Sequence, residues 1–322
     1  MSVVHVIGTG GTIASRSSSG GATVADSADQ VLEATELTTE VTTEDVLHIN
    51  SFHLSFADLL DVRAAVAAAC QRPEVDGIVI THGTDTMEET GFFLSLLHTS
   101  EKPVILTGAQ RAADLPDTDG PENLRQAIRA AGSPQLRGAG VVVGFDSKFH
   151  AARHTRKQHT LATSAFSGGT LVAESYQHEV VRLATPASYP TLSDPPERFA
   201  KLDIPIIDAA PGSDANLFHA ALEHGADGIV LQGVGAGNAP TAFTAAVEAA
   251  VADGIPVVLA TRVPAGPVAA IYGNGGAVTL LDAGAMSAQY LNTYQARILL
   301  ALLIAHQLPD DRLRAAFAEQ TC

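Results

Sequence analysis

Short apolar runs alternate along the chain with longer stretches in which apolar residues recur at helical spacing. The runs predict strands at 3–7, 77–81, 103–108, 140–145, 228–233 and 256–261. Near-continuous apolar runs of this length are typical of strands buried on both faces, as in parallel sheets. The stretches at 56–70, 87–98 and 241–252 predict helices. This alternation predicts a doubly wound α/β fold with a mostly parallel sheet.

One proline-rich segment interrupts the alternation. The sequence TPASYPTLSDPPERFAKLDIP at 185–205 contains five prolines, which end helices and cannot donate to a sheet. A length of 322 residues fits two domains. We therefore expect a large N-terminal α/β domain at 1–186, a linker at 187–206 and a smaller C-terminal α/β domain at 207–322.

The amino-acid composition limits the kinds of molecule that this chain is expected to bind. The chain is 46% hydrophobic and 17% charged, as in globular proteins, and its 19 Lys and Arg against 35 Asp and Glu give a net charge of −16. This balance argues against nucleic-acid and membrane binding, which need basic patches. The apolar stretch 296–308 is too short to span a bilayer and predicts a core helix. Without a visible secretory signal the expected location is the cytoplasm, with Cys70 and Cys322 as free thiols.

Polar clusters directly follow three predicted strands. They are GTGGT at 8–12, THGTDTMEET at 81–90 and TGAQR at 107–111. In open α/β sheets ligands bind beyond the carboxyl ends of the strands, so we expect all three clusters to face one crevice.

The glycine cluster fits neither common nucleotide motif. The third glycine of GxGxxG would fall at Ile13, and no GK[ST] follows. Two interpretations stay open. The glycines form a tight turn, or they bring backbone N–H groups close to a carbonyl that the Thr12 hydroxyl attacks with the help of a base.

The second cluster has two interpretations as well. Thr86 or Asp85 could cap the helix that follows. A cap rarely needs two hydroxyls, a carboxylate and a histidine together, which favours a catalytic role. Elsewhere, His150 and His154 have i, i+4 spacing without the glutamate of HExxH or a third ligand, so no metal site is predicted.

Two of these stretches carry a family resemblance. TGGTIA at 9–14 and THGTDTMEET at 81–90 resemble the two signatures of the L-asparaginase family, in its bacterial two-domain, threonine-nucleophile branch. The similarity extends to four further segments: TGAQR at 107–111, DGPENL at 119–124, ARHTRKQHT at 152–160 and GVGAGN at 233–238.

The resemblance implies a reaction and its catalytic residues. The activity would be hydrolysis of L-asparagine to L-aspartate and ammonia, with no metal or organic cofactor. Thr12 matches the nucleophile that is transiently acylated. Thr84, Asp85 and Lys157 match a second catalytic group, in which Asp85 also pairs with the substrate α-ammonium.

The resemblance also implies a substrate site and an assembly. Ser51 matches the residue that binds the α-carboxylate, while Gly11 and Ala109 belong to backbone segments around the substrate amide. Thr84 and Asp85 contribute to binding too. Asn238 matches a residue that reaches an active site across a subunit boundary, which implies a homotetramer built as a dimer of dimers.

Three positions depart from the family pattern. The loop 15–26 lacks the usual tyrosine, Phe52 replaces the usual glutamine after Ser51, and 270–275 contains no acidic residue, although Tyr272 could occupy that space. These changes concern lid closure and the α-ammonium contact. We therefore expect hydrolysis to be retained with a raised KM or an altered preference between asparagine and glutamine.

Two other functions remain open from the sequence. One is the amidase-like subunit of a tRNA-dependent amidotransferase, which the acidic composition disfavours. The other is a catalytically silent amino-acid-binding protein, against which the joint presence of Thr12, Thr84, Asp85 and Lys157 argues.

Overall fold

A computed structural model describes residues 2–33, 35, 39–177 and 179–321. It divides into two compact units, Met1–Leu192 and Ser193–Cys322, and the boundary between them falls inside the predicted linker. Cys70 is a half-buried free thiol, and Cys322 lies outside the described residues.

Regular elements occur throughout both units. The strands are β1 Val3–Gly10, β2 Ser15–Arg16, β3 Thr23–Val24, β4 Glu40–Ile49, β5 Gly77–Thr81, β6 Val104–Thr107, β7 Val141–Phe145, β8 Lys148–Ala151, β9 Arg156–Lys157, β10 Phe166–Ser167, β11 Leu171–Tyr176, β12 Glu179–Arg182, β13 Ile206–Asp208, β14 Ile229–Gly233, β15 Val257–Thr261 and β16 Met286–Ser287. The helices are α1 Ala28–Glu33, α2 Phe56–Gln71, α3 Met87–Leu97, α4 Gly120–Ala131, α5 Asn216–Glu223, α6 Ala242–Ala252, α7 Ala277–Asp282, α8 Thr293–Ala305 and α9 Asp310–Thr321.

The first unit is built on an eight-stranded sheet in the order β12-β11-β8-β7-β6-β5-β1-β4. The five strands from β7 to β4 are parallel, and β8, β11 and β12 extend the sheet with antiparallel pairs. Every residue of β5, β6 and β7 is buried, as their apolar sequences predict. Helices α2, α3 and α4 pack against these strands.

The second unit contains a four-stranded parallel sheet in the order β13-β14-β15-β16. The stretch predicted as a core helix lies mainly in α8, whose residues are almost all buried. Within the described ranges, no helix is long and apolar enough to cross a membrane. The predicted fold class, a larger and a smaller α/β domain with mostly parallel sheets, is confirmed.

Strand β4 was not predicted from the sequence. Its sequence, EVTTEDVLHI, mixes polar and apolar residues, and each of them is at least partly exposed. The strand lies at the sheet edge and, among the described strands, pairs with β1 alone, so it lacks the two buried faces that give the central strands their apolar runs. The antiparallel strands β11 and β12 were not predicted either, because both are partly exposed and lack a continuous apolar run.

Candidate active site

Three loops meet at the carboxyl ends of neighbouring strands. In the parallel register Gly8 of β1 pairs with Thr81 of β5, and Thr81 pairs with Thr107 of β6. The three polar clusters of the sequence therefore begin at the same level of the sheet.

Two glycines allow the first two loops to touch. Gly11 has φ +80°, and a Cβ atom there would lie 2.4 Å from the Cα of Gly83. A Cβ on Gly83 would in turn lie 2.5 Å from the hydroxyl of Ser51, which is 4% exposed. A side chain at either glycine would push the two loops apart. Because both positions are glycine, the backbones that carry Thr12, Thr84 and Ser51 can approach closely.

The residue after Gly11 is Thr12, which begins a single 3-10 turn that ends at Ala14. Thr12 is partly exposed, and among the described residues its hydroxyl has no hydrogen-bond partner. The turn is fixed around it, because Ser15 donates its hydroxyl to the Gly11 carbonyl at 2.8 Å. A rigid turn with an unengaged hydroxyl suits a nucleophile that must be free to attack.

The residue after Gly83 is Thr84, which makes a different set of contacts. Lys157 Nζ lies 2.8 Å from Thr84 Oγ1 and 2.7 Å from Asp85 Oδ1. Thr84 is 5% exposed and the Lys157 side chain 17%, whereas the Asp85 side chain is 54% exposed. The ammonium group therefore bridges a buried hydroxyl and a carboxylate that still has an open side for a cation.

His82 holds this loop in place by hydrogen bonding from the protein interior. It is fully buried, with Nδ1 2.7 Å from the Gly83 carbonyl and Nε2 3.0 Å from Thr90 Oγ1. Because a carbonyl only accepts, Nδ1 carries the proton and donates it. Burial lowers the pKa of His82 to about 4, against a smaller opposing effect of the carbonyl. His82 is thus a neutral residue that fixes the Gly83 peptide.

Thr86 stands at the N-cap of α3 without capping it. No side-chain cap bond forms, and its hydroxyl donates instead to the Ser51 carbonyl at 2.9 Å. The capping interpretation of the second cluster is therefore wrong for Thr86. The cluster ties Ser51 to the Thr84 loop.

Glu88 belongs to the second polar cluster, and the sequence indicated no role for it. In the first turn of α3 it is 7% exposed, and its Oε2 accepts the backbone N–H of Lys157 at 2.8 Å. Burial raises the pKa of the Glu88 carboxyl, and the Lys157 N–H opposes that shift. The available signal was an acidic residue four positions before Phe92, on the buried face of α3.

The third loop carries Ala109, which is fully buried. Asn123 donates its side-chain amide to the Gly108 carbonyl at 3.0 Å and to Asp119 at 3.1 Å. Asp119 also accepts the backbone N–H of Gln110 at 3.0 Å. The DGPENL segment at the start of α4 thus holds the backbone of this loop, a function that the sequence did not reveal.

The segment after Thr12 forms a small hairpin, β2 with β3. Arg16 pairs with Asp26 at 2.7 Å across its base, and Ser17 donates its backbone N–H and hydroxyl to Asp114 at 3.1 Å. The hairpin is therefore anchored at both its base and one arm, although it lacks a tyrosine.

Asn238 lies in the second unit. Its side-chain oxygen accepts the backbone N–H of Ala277 at 3.2 Å. Tyr272, also in this unit, is 60% exposed. Across the described part of the chain, no three His, Cys, Asp or Glu side chains are grouped as a metal site would require.

Comparison with known proteins gives matches over the whole chain. The family models "Asparaginase, N-terminal" and "Glutaminase/Asparaginase C-terminal domain" match residues 3–186 and 203–317. The chain is 35% identical to a probable L-asparaginase of Deinococcus radiodurans, covering 98% of this chain and 96% of the relative. It is 32% identical to an L-asparaginase of Bacillus licheniformis, covering 94% and 95%.

A solved structure agrees with these matches. The probable cytoplasmic L-asparaginase of Campylobacter jejuni superposes with a TM-score of 0.88 at 29% identity, covering 99% of this chain and all of that one.

Proposed function

Because the chain belongs to the bacterial two-domain asparaginase family, we propose that it hydrolyses L-asparagine to L-aspartate and ammonia. One observation supports this most strongly. Lys157 Nζ lies within hydrogen-bonding distance of both Thr84 and Asp85, in the loop that contacts the Thr12 loop.

The reaction is a double displacement. The Thr12 oxygen attacks the side-chain amide carbonyl, the C–N bond breaks, and ammonia leaves with the proton from the hydroxyl. Water then attacks the acyl-threonine, which releases aspartate and restores Thr12. Thr84 and Lys157 form a hydrogen-bonded pair. This pair relays the proton or orients the hydrolytic water.

The other site residues bind the two charged ends of the substrate. The exposed side of Asp85 accepts the α-ammonium, and the hydroxyl of Ser51 donates to the α-carboxylate. Backbone groups of Gly11 and Ala109 surround the amide, where N–H donors stabilise the oxyanion. Asn238 would complete the site from another subunit of a homotetramer.

The altered positions change affinity more than chemistry. Without a lid tyrosine, and with Phe52 in place of glutamine, we expect a higher KM for asparagine or a shifted ratio of asparagine to glutamine turnover. KM values close to those of tyrosine-lid relatives would contradict this. A cytoplasmic location also stays a prediction, since a similar protein of Haemophilus influenzae is named as periplasmic.

The test is ammonia release from the purified protein with L-asparagine and then L-glutamine, beside Thr12→Ala. We expect activity that this substitution abolishes. Thr12→Val that still binds asparagine without releasing ammonia would confirm the enzyme. Binding without turnover in the unaltered protein would instead support the silent amino-acid-binding protein.

A further inference from the structure

Lys157 lies in a segment with little structure of its own. Strand β9 has two residues and pairs only with the two residues of β10, outside the main sheet. Next to the strands, Gln158 donates its N–H to the carbonyl of Ala165, the residue before β10. Successive amides of a strand point to opposite sides, so the N–H of Lys157 points away from β10. Something else must fix the backbone from which the ammonium group extends.

The Glu88 carboxylate accepts that N–H. The bond is 2.8 Å long and joins residues 69 positions apart. Glu88 is 7% exposed, and a buried carboxylate is costly unless it is hydrogen-bonded. This cost favours the arrangement in which the Lys157 amide stays beside Glu88.

Helix α3 also contacts the segment 152–160, which contains Lys157, at two further points. A Cβ atom on Gly91 would lie 3.2 Å from the Cβ of Ala152, and the guanidinium of Arg153 lies 5.1 Å from the centre of the Phe92 ring. The same helix begins at Met87, two residues after Asp85, with Thr86 as its N-cap. Helix α3 therefore directly follows the loop that bears the Thr84 hydroxyl and the Asp85 carboxylate, and it also contacts the segment of the lysine that bridges them.

We propose that Glu88 is a positioning residue, which places Lys157 Nζ between Thr84 and Asp85 by holding the Lys157 backbone. It acts through Lys157 and does not touch the substrate. The proposal rests on the proposed function, in which Lys157 serves catalysis. What it requires of Glu88 is an acceptor oxygen with the right reach, not a negative charge.

Two conservative variants separate reach from charge. Glu88→Gln keeps the side-chain length and an acceptor oxygen but removes the charge. Glu88→Asp keeps the carboxylate but shortens the side chain by one methylene. We expect kcat to fall about 10–100-fold in Glu88→Asp and Glu88→Ala, since misplacement by about 1 Å can cost about 100-fold, and to stay within about fivefold in Glu88→Gln. KM for asparagine should change little in all three. A kcat in Glu88→Asp equal to or above that in Glu88→Gln would overturn the proposal.

The Lys157→Met background distinguishes positioning from general damage. There, Glu88→Asp should cost less than about twofold further, because the group it places is gone. An undiminished loss in that background would contradict the proposal. Glu248→Asp is the control, since Glu248 is an exposed glutamate on α6 in the second unit, and we expect it to leave kcat unchanged.

A structural measurement separates this proposal from the proposed function. If the unaltered protein releases no ammonia, the proposed function fails, and crystal structures of the unaltered protein and Glu88→Asp still test the positioning. We expect Lys157 Nζ to leave hydrogen-bonding distance of Thr84 Oγ1 in the variant. An unmoved ammonium group would overturn the proposal.

Discussion

Thr12 and Thr84 occupy equivalent places in the fold and differ in what surrounds their hydroxyl groups. Each directly follows a glycine in the loop beyond one of two neighbouring parallel strands, and the two glycines touch. Yet the Thr12 hydroxyl has no partner among the described residues, whereas that of Thr84 is buried against Lys157.

The difference lies in the supports of the two loops. In the Thr84 loop, buried His82 bonds the Gly83 carbonyl and Lys157 bonds Thr84, while buried Glu88 accepts the backbone N–H of Lys157. The Thr12 loop is fixed by backbone contacts and by Ser15, and it continues into an exposed hairpin. This difference agrees with the proposed roles, in which Thr84 belongs to a proton relay and Thr12 is the nucleophile.

The largest expected effect comes from combining a substitution of Thr12 with one of Lys157, the partner of Thr84. Thr12→Ala should lower kcat by about 10³-fold or more, and Thr12→Ala/Lys157→Met should be no slower, because residues that act as one unit are strongly non-additive. Steady-state ammonia release measures both. Losses that multiply in the double variant would mean that Lys157 does not serve the attack by Thr12.

A pH experiment tests the buried support of the Thr84 loop. His82 has a pKa of about 4 in the folded state and about 6.5 when unfolded, so the unfolded chain binds more protons between these values. The neutral His82 therefore does not reduce stability above about pH 6.5. As the pH drops below 6.5 the free energy of unfolding decreases, and at pH 4 it is about 3 kcal/mol lower because of His82.

Urea unfolding of the unaltered protein and His82→Gln at several pH values measures this contribution. The difference between them isolates His82, since the raised pKa of Glu88 acts with the opposite sign in both proteins. We expect the variant to lose less stability between pH 6.5 and pH 4. Parallel stability curves would mean that His82 does not stay neutral in the fold.

Asp85 is the part of the Thr84 loop open to substrate. Asp85→Asn removes the charge that we propose binds the α-ammonium, and hydrogen bonds to charged groups contribute about 1.5–3 kcal/mol. We expect KM for asparagine to rise about 10–100-fold, with a smaller fall in kcat from the weakened Lys157 contact. Asp117→Asn, an exposed carboxylate paired with Arg111, is the control. An unchanged KM would place the ammonium elsewhere.

The smallest effect is expected in the hairpin after Thr12. Asp114→Ala removes the carboxylate that accepts from Ser17, and because both hydrogen bonds are exposed, solvent screening limits their contribution to about 0–1 kcal/mol. KM should rise about two- to tenfold while kcat stays near its original value. Asp253→Ala in the second unit is the control. A KM that does not respond would mean that the hairpin does not cover the bound substrate.

The sequence by itself predicted the parts of the fold whose burial is uniform. Central strands such as β5 and β7, and helices such as α2 and α6, lie within a residue or two of their predicted positions. Their patterns are clear because each element has one kind of environment along its length. The edge strand β4 faces several environments, so its pattern was not recognised.

The sequence also predicted Thr12, Thr84, Asp85 and Lys157 as site residues. It could do so because loops after strands and family motifs are both recognised within short stretches of sequence. Only the tertiary structure decided that Lys157 bridges Thr84 and Asp85, that Thr86 binds Ser51 and that Glu88 receives the Lys157 amide. These contacts join residues from 35 to 73 positions apart. The reason is physical: a hydrogen bond depends on the distance between two groups in space, and local pattern fixes that distance only within a single element.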